Sequence, residues 1–332
     1  VRPFDYLRPD DVATAVRAVA DDPDARFLAG GTNLVDHLKL GVARPGLLVD
    51  VRGLPLHDVE VADVGGGTVL RVGANVRNSD LAAHPVVRRE FPAVARALVS
   101  AASAQIRHQA TTGGNLLQRT RCVYFQDVST PCNKREPGSG CSAVEGFARY
   151  NAVLGASPEC VTVHPSDLAV ALAAVDASVV TDGPAGERRL PVAELHRLPG
   201  DAPEKDTVLE HGELITAVEL PASPVAQRST YYKARDRASY AFALASVAAG
   251  LELDGDVVRD VRIVWGGVAH KPWRALRAEE ALRGERFSEE AVLAAADAEL
   301  EQAETSPGTA FKVPMVRGAT ALVLGRLAGG GR

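Results

Sequence analysis

The sequence predicts an α+β protein of more than one domain, and three observations carry that prediction. Near the N-terminus a strand, a helix and a second strand follow one another, but the run from Val59 to Val72 folds back at Gly65-Gly66-Gly67 as a hairpin instead of extending a doubly wound pattern. A second hairpin signal stands at Gly183-Pro184-Ala185-Gly186. Beyond Pro221 and Pro224 an antiparallel pattern begins afresh, so a separate C-terminal α+β domain is expected. With 332 residues, 46% of them hydrophobic, the chain has material for two or three domain cores.

Taken in order, Asp10 reads as the cap of a helix whose stripe is Val12, Ala15, Val16 and Val19, stopped by Asp21-Asp22-Pro23. Arg26 to Ala29 reads as a buried strand ending at Gly30-Gly31-Thr32-Asn33, after which Leu34, Val35 and Leu38 start a helix that closes at Gly41. Leu47 to Val51 is a second strand. Residues 78 to 104 are helix-prone, with Ala93, Val94, Ala97 and Leu98 at core spacing, and lead to Ala110-Thr111-Thr112-Gly113-Gly114-Asn115. Ser166-Asp167 reads as the cap of a helix running to Val175, and Leu214 to Leu220 as a strand. Ser229 to Leu253, an Asp254-Gly255 turn and Val257 to Val264 suggest an antiparallel sheet, followed by helices around 274–283 and 288–303. The expected organisation is a domain over 1–222, with subdomains of about 1–55 and 56–222 and a cysteine-rich loop at 119–161, then a domain over 226–328. No internal repeat occurs, and the one low-complexity piece is Gly329-Gly330-Gly331.

All four cysteines, Cys122, Cys132, Cys141 and Cys160, fall in that loop. Four soft thiolates suit an iron-sulfur cluster or a structural zinc ion. Structural zinc usually takes paired ligands two to four residues apart, whereas these gaps are nine, eight and eighteen residues. Pro131, Pro137, Gly138 and Gly140 favour turns able to wrap a bulky inorganic core, which points to a [4Fe-4S] cluster. Zinc and a pair of disulfides stand as alternatives, the latter needing an oxidising compartment.

The two glycine turns have a common chemistry. A glycine pair between a strand and a helix lets successive N–H groups converge where the helix start adds positive potential, which suits an anion. Gly30-Gly31-Thr32-Asn33 and Thr111-Thr112-Gly113-Gly114-Asn115 both carry side chains able to donate to phosphate, so together they suit a dinucleotide pyrophosphate; each alone reads equally as a tight turn. Neither the Rossmann nor the P-loop glycine pattern is present. The eight histidines are scattered without a paired spacing and read as surface or satisfied core residues, and no nucleophile elbow occurs.

A net charge of -5 with dispersed basic residues argues against nucleic acid. Val1 to Tyr6 has no apolar leader character, and the longest apolar stretch, Ala241 to Leu251, falls short of the ~18 residues of a span, so neither a signal peptide nor a membrane anchor is expected. Free cysteines favour the cytoplasm, while a periplasmic protein exported folded on a partner's signal would have the same sequence.

The segments FLAGGTNLVDHLK, TTGGNLLQRTRC, PCNKREPGSGC, VLGASPEC, HPSDLA, ELITAVELP and YYKARDRASYAFALAS, in this order, resemble the FAD-binding subunit of molybdenum hydroxylases. The likeness is to the xanthine dehydrogenase and aldehyde oxidoreductase group, in its branch with a [4Fe-4S] cluster. It implies a vanillyl-alcohol-oxidase-like (PCMH-type) flavin domain of two α+β subdomains and a C-terminal domain with a three-stranded antiparallel sheet and helices. By similarity, Phe27, Leu28, Ala29, Gly30, Gly31, Thr32, Asn33 and Leu34 would wrap the FAD pyrophosphate. Ala110, Thr111, Thr112, Gly113, Gly114 and Asn115 would close over it, and Asp167, Ile215 and Lys233 would line the flavin.

An ammonium from Lys233 would favour negative charge at the N1/O2 edge of the ring; read without the resemblance, Lys233 is a plain surface lysine. The four cysteines would hold the cluster. Where such relatives usually have an Asn and a His, this chain has Ala148 and Asn151, a departure that bears on hydrogen bonding around the cluster. The resemblance further implies a molybdenum-cofactor large subunit, a [2Fe-2S] small subunit and an external electron acceptor. Two rivals from other classes are a zinc-stabilised scaffold and a self-sufficient flavin oxidase.

Overall fold

The computed structural model describes residues 1–329, so Gly330 and Gly331 of the glycine tail lie outside the described residues. Three sheets organise the chain. The first is parallel, with β1 (Asp5–Leu7), β3 (Leu47–Asp50) and β2 (Ala25–Leu28) in that order. Helix Val12–Ala20 lays Ala15, Val16 and Val19 on it. Its cap is Asp11, one residue later than the sequence suggests, because the Asp11 carboxylate accepts from Thr14 N at 2.7 Å. In β2 only Ala25 is buried; Phe27 and Leu28 are half-buried, so this strand is a rim and not a core element.

The second sheet is antiparallel and five-stranded: β4 (Val59–Val64), β5 (Gly67–Gly73), β8 (Leu214–Pro221), β6 (Ser178–Gly183) and β7 (Gly186–Pro191). Central β8 is buried from Leu214 to Leu220. Both hairpins form where the glycines permit, with Gly65, Gly66 and Gly186 at φ of 59°, 84° and 95°. The helix-prone stretch from 78 is three helices, broken at His84-Pro85 and Phe91-Pro92 because proline removes an N–H and restricts its predecessor.

The third sheet places β12 (Trp273–Arg274), β11 (Val257–Gly266), β10 (Ala245–Asp254) and β9 (Ser229–Ala234) side by side. Three long strands are thus extended by a two-residue edge. One face packs on helix Lys312–Ala328, with helices Leu276–Leu282 and Glu289–Leu300 completing that layer. Its other face meets helices Pro92–Ser100 and Asp167–Ala174, which also pack under the second sheet. Every residue of Asp167–Ala174 is buried, as expected of a helix between two sheets. Among the described residues no helix is long and apolar enough to cross a membrane.

Helix Lys312–Ala328 was not expected, and it carries an unusual cation. Lys312 is fully buried, and its Nζ donates to Asn151 O at 2.8 Å and Gly267 O at 2.7 Å, tying the end of the cysteine loop to β11. Burial, with the charge of Arg149, lowers its pKa from 10.5 to about 7. Between those values the unfolded chain binds the proton and the folded chain does not, so folding stability gains as pH rises through that window and loses it as pH falls through the folded value. Denaturant titrations of the protein and of Lys312→Met are expected to diverge in favour of the parent by up to ~1.4 kcal/mol per pH unit from neutral to alkaline pH. A pH-independent difference would refute this account of Lys312.

Candidate functional site

The two glycine turns meet. A Cβ on Gly30 would lie 2.1 Å from Gln109 O, so the first turn presses on the backbone that leads into the second. Gly31 has a φ of 74°, Thr111 Oγ1 accepts from Gly114 N at 3.2 Å, and Asn33 Oδ1 accepts from Arg119 N at 3.0 Å, which ties the turns together. Above them opens a cavity of about 690 Å³. Its wall includes Phe27, Ala29, Gly30, Gly31, Thr32, Asn33, Leu34, Ala110, Thr111, Gly113, Gly114, Asn115, Asp167, Ile215 and Lys233, residues drawn from all three sheets or their connections. Leu28 and Thr112 are not on that wall. Leu28 packs behind Gly31, and Thr112 is fully buried with its hydroxyl donating to Val76 O at 3.0 Å.

The cavity wall also holds polar atoms that the protein leaves unused. Asn33 Nδ2, His37 Nε2, Asn78 Oδ1 and Arg121 Nε are buried without a partner, although buried polar groups are nearly always paired. A polar ligand would satisfy them. Burial, then the charges of Arg119 and Arg121, lowers His37 to about 4, so it offers a neutral ring. Arg26, Arg107, Arg119, Arg121 and Lys233 against Asp36 and Asp167 give the wall a positive balance. His37, Asn78 and the arginines escaped the sequence reading, although Arg119 and Arg121 directly follow the second turn, where a basic pair beside an anion nest was the available signal.

At the far end, Ser166 caps helix Asp167–Ala174 by accepting from Ala169 N at 3.0 Å, and its hydroxyl donates to Asn115 Oδ1 at 2.6 Å. Asp167 accepts from Lys233 Nζ at 2.7 Å and from the Tyr231 hydroxyl. Lys233 is no surface lysine: its side chain is 3% exposed. Burial, then the Asp167 carboxylate, pushes the Tyr231 phenol well above its ordinary value, so it stays a donor. Segment 235–243 covers this end with Tyr240, in the left-handed region at φ 52°, and Phe242.

The four cysteines gather on one small void with Thr120, Asn133, Lys134 and Thr162. Cys132 and Cys141 face each other across an antiparallel bridge closed by Asn133 N donating to Gly140 O at 2.7 Å; Ser157 and Cys160 form another. All four are free thiols, with no disulfide. Burial pushes the Cys160 thiol up to about 11 and raises Cys122 as well, with the neighbouring cysteines adding to both shifts. Among the described residues no three Cys, His, Asp or Glu side chains converge as ligands of a single ion. The thiols therefore ring a void without meeting at one point. Ala148 and Asn151 do not line it; Asn151 Nδ2 donates to Ala143 O at 3.1 Å.

A second cavity of about 660 Å³ separates the two places and touches both, through Cys122 and Tyr124 on one side and Arg121, Pro165, Asp167 and Phe242 on the other. The histidines depart from expectation: five, His37, His84, His164, His196 and His270, keep one buried ring nitrogen without a partner.

Residues 2–223 match the FAD binding domain in molybdopterin dehydrogenase, and residues 230–313 match the CO dehydrogenase flavoprotein C-terminal domain. The aldehyde oxidoreductase FAD-binding subunit PaoB of Escherichia coli is 52% identical over 283 residues, covering 85% of this chain and 86% of that one. The carbon monoxide dehydrogenase medium chain of Hydrogenophaga pseudoflava is 28% identical over 317 residues, 94% of this chain and 92% of that one. A solved carbon monoxide dehydrogenase of Hydrogenophaga pseudoflava, in a form lacking the Mo-pyranopterin moiety, superposes with a TM-score of 0.74 at 26% identity, covering 98% of this chain and 97% of the other.

The Asp167–Lys233 pair makes a prediction independent of any ligand. Lys233→Met leaves a buried carboxylate without its counter-charge, held by the Tyr231 hydroxyl alone, and is expected to cost about 3 kcal/mol in denaturant unfolding, whereas adding Asp167→Asn to it should recover most of the loss. Equal losses in the single and double variants would contradict the pairing.

Proposed function

The chain belongs to the family of FAD-binding domains of molybdopterin dehydrogenases, an FAD-binding oxidoreductase subunit of molybdenum hydroxylase type, and from that premise we propose that it is the FAD and [4Fe-4S] electron-transfer subunit of a molybdenum-dependent hydroxylase complex. Its partners in this reading are a large subunit with the molybdenum cofactor and a small [2Fe-2S] subunit. When bound, FAD supplies the change-over between single-electron donors and acceptors of one electron or two, so electrons from the partner centres would leave to an external acceptor. Residues 1–222 would hold the flavin, and 226–328 would close its ring end.

The observation that carries the flavin reading is the cavity itself: two glycine turns in mutual contact, a positive wall, and unpartnered polar atoms on Asn33, His37, Asn78 and Arg121. In this reading Phe27 to Leu34 and Ala110 to Asn115 bind the pyrophosphate, with Leu28 and Thr112 supporting from behind. Ile215 gives the ring an apolar neighbour. Lys233, oriented by Asp167 and Tyr231, presents an ammonium to the ring, and Tyr240 and Phe242 exclude water from that end. No acid-base residue is required of this chain. What supports the cluster is that four free thiols line one void, a donor set that suits an iron-sulfur core.

Two measurements test this. The isolated chain is expected to show flavin absorption over a broad iron-sulfur shoulder, with iron and acid-labile sulfide in equal amounts, and to oxidise no organic substrate by itself. Colourless protein containing zinc would instead favour a scaffold, and turnover without partners would favour a self-sufficient oxidase. The second measurement separates the sites. Cys132→Ser should remove iron and keep flavin, while Gly30→Ala should weaken FAD binding about tenfold or more and keep iron, because its Cβ must displace backbone at Gln109. Loss of both cofactors in both variants would count against two separable sites.

A further inference from the structure

A buried charge stands beside the cysteine void. Of the fifteen side chains lining it, Lys134 is the one cation, and its side chain is 1% exposed. Lys134 Nζ donates to Pro203 O at 2.5 Å and to Asp206 Oδ1 at 2.6 Å. Asp206 is shared: its Oδ2 accepts from Arg119 Nε at 2.5 Å. Two cations on one carboxylate leave one positive charge over; Lys134 is buried beside the cysteines, while the Asp206 and Arg119 side chains are 26% and 30% exposed. The carboxylate cannot cancel it by taking a proton, since the charges of Arg119 and Lys134 overcome burial and hold Asp206 well below the usual carboxylate range. One acid, Glu159, also lines the void, but it is partly exposed and takes a 2.6 Å hydrogen bond from Asn133 Nδ2, so solvent screens it more than it screens Lys134.

We propose that Lys134, held in place by Asp206 and Arg119, is a fixed charge that raises the reduction potential of the iron-sulfur core on Cys122, Cys132, Cys141 and Cys160. The inference rests on the cluster reading. Reduction adds one electron, and hence one negative charge, to the core without changing its ligands, and a cation beside it favours that form. At an effective dielectric of about 20 a unit charge lining the same void is expected to change the reduced-to-oxidised ratio by roughly tenfold, which is enough to be read.

The test is a potentiometric titration of the whole protein, followed by the EPR signal of the reduced cluster, with iron and sulfide assayed in parallel. Lys134→Gln should lower the reduced-to-oxidised ratio at the parental midpoint by about tenfold, a shift of about 59 mV for a one-electron couple. Lys134→Arg should restore the parental value, and Asp206→Asn should shift it in the opposite direction. A merely structural role would lower iron content in Lys134→Gln and Asp206→Asn alike without opposite shifts. An unchanged midpoint in iron-replete Lys134→Gln would overturn the proposal. Should that variant lose its iron, Arg119→Gln and Asp206→Asn decide, since they must move the midpoint in opposite directions. Absence of iron in the parent would instead sink the cluster reading, and this inference with it.

Discussion

The architecture turns on one buried contact, the Asp167 carboxylate with the Lys233 ammonium and the Tyr231 hydroxyl. Asp167 opens a helix whose every residue is buried between two sheets, while Lys233 and Tyr231 stand on β9 of the third sheet. Taking both charges out of water is costly, and the pair is tolerated because each charge is satisfied by the other and by hydrogen bonds. The contact therefore fixes how the third sheet meets the rest, and with it the ring end of the large cavity.

The other end of the cavity is fixed by absence of bulk. Gly30 lets one turn touch the carbonyl of Gln109, and Gly113 approaches Ala74 so closely that a Cβ would stand 3.0 Å from the Ala74 methyl. These contacts leave N–H groups and side-chain amides facing inward, where Asn33, His37, Asn78 and Arg121 hold polar atoms in reserve. Stability is given up to keep such atoms unpaired, which is intelligible only if something else pairs with them. The same segment that closes the second turn runs on through Arg119 and Arg121 to Cys122, so the two candidate cofactor sites are built on one continuous backbone, with a shared cavity between them.

What the sequence made legible follows from which signals are local. Glycine pairs, the hairpin turns, the Ser166 cap and the four clustered cysteines are short-range patterns, and each is found where it was expected. Helix Lys312–Ala328 was obscured because Pro314, Gly318 and Gly325 interrupt its apolar stripe; the proline is harmless in the first turn, where its missing N–H has no partner to lose. Lys233 reads as exposed because nothing near it in sequence announces Asp167, 66 residues away. The network of Arg119, Lys134 and Asp206 closes over separations of 87 and 72 residues, and the unpartnered atoms of the cavity are a property of the folded wall alone. The family likeness singles out Lys233 through its neighbours YYKARDR, and the structure puts that residue, buried, on the cavity wall.

The cysteine loop illustrates why the arrangement of ligands says more than their number. Four thiols left without purpose would be free to drift apart along a loop of more than forty residues, yet all four line one void, two of them buried and two partly exposed. For two of them this has a cost: burial, with the neighbouring sulfurs adding to it, raises Cys160 and Cys122 above the ordinary thiol value. In the proposed cluster, ligation by iron would reverse that cost, since metal-bound sulfur is thiolate. Lys134 lines the same void with its ammonium satisfied by Asp206 and the Pro203 carbonyl, so a charge is kept beside the four sulfurs without being left unpaired.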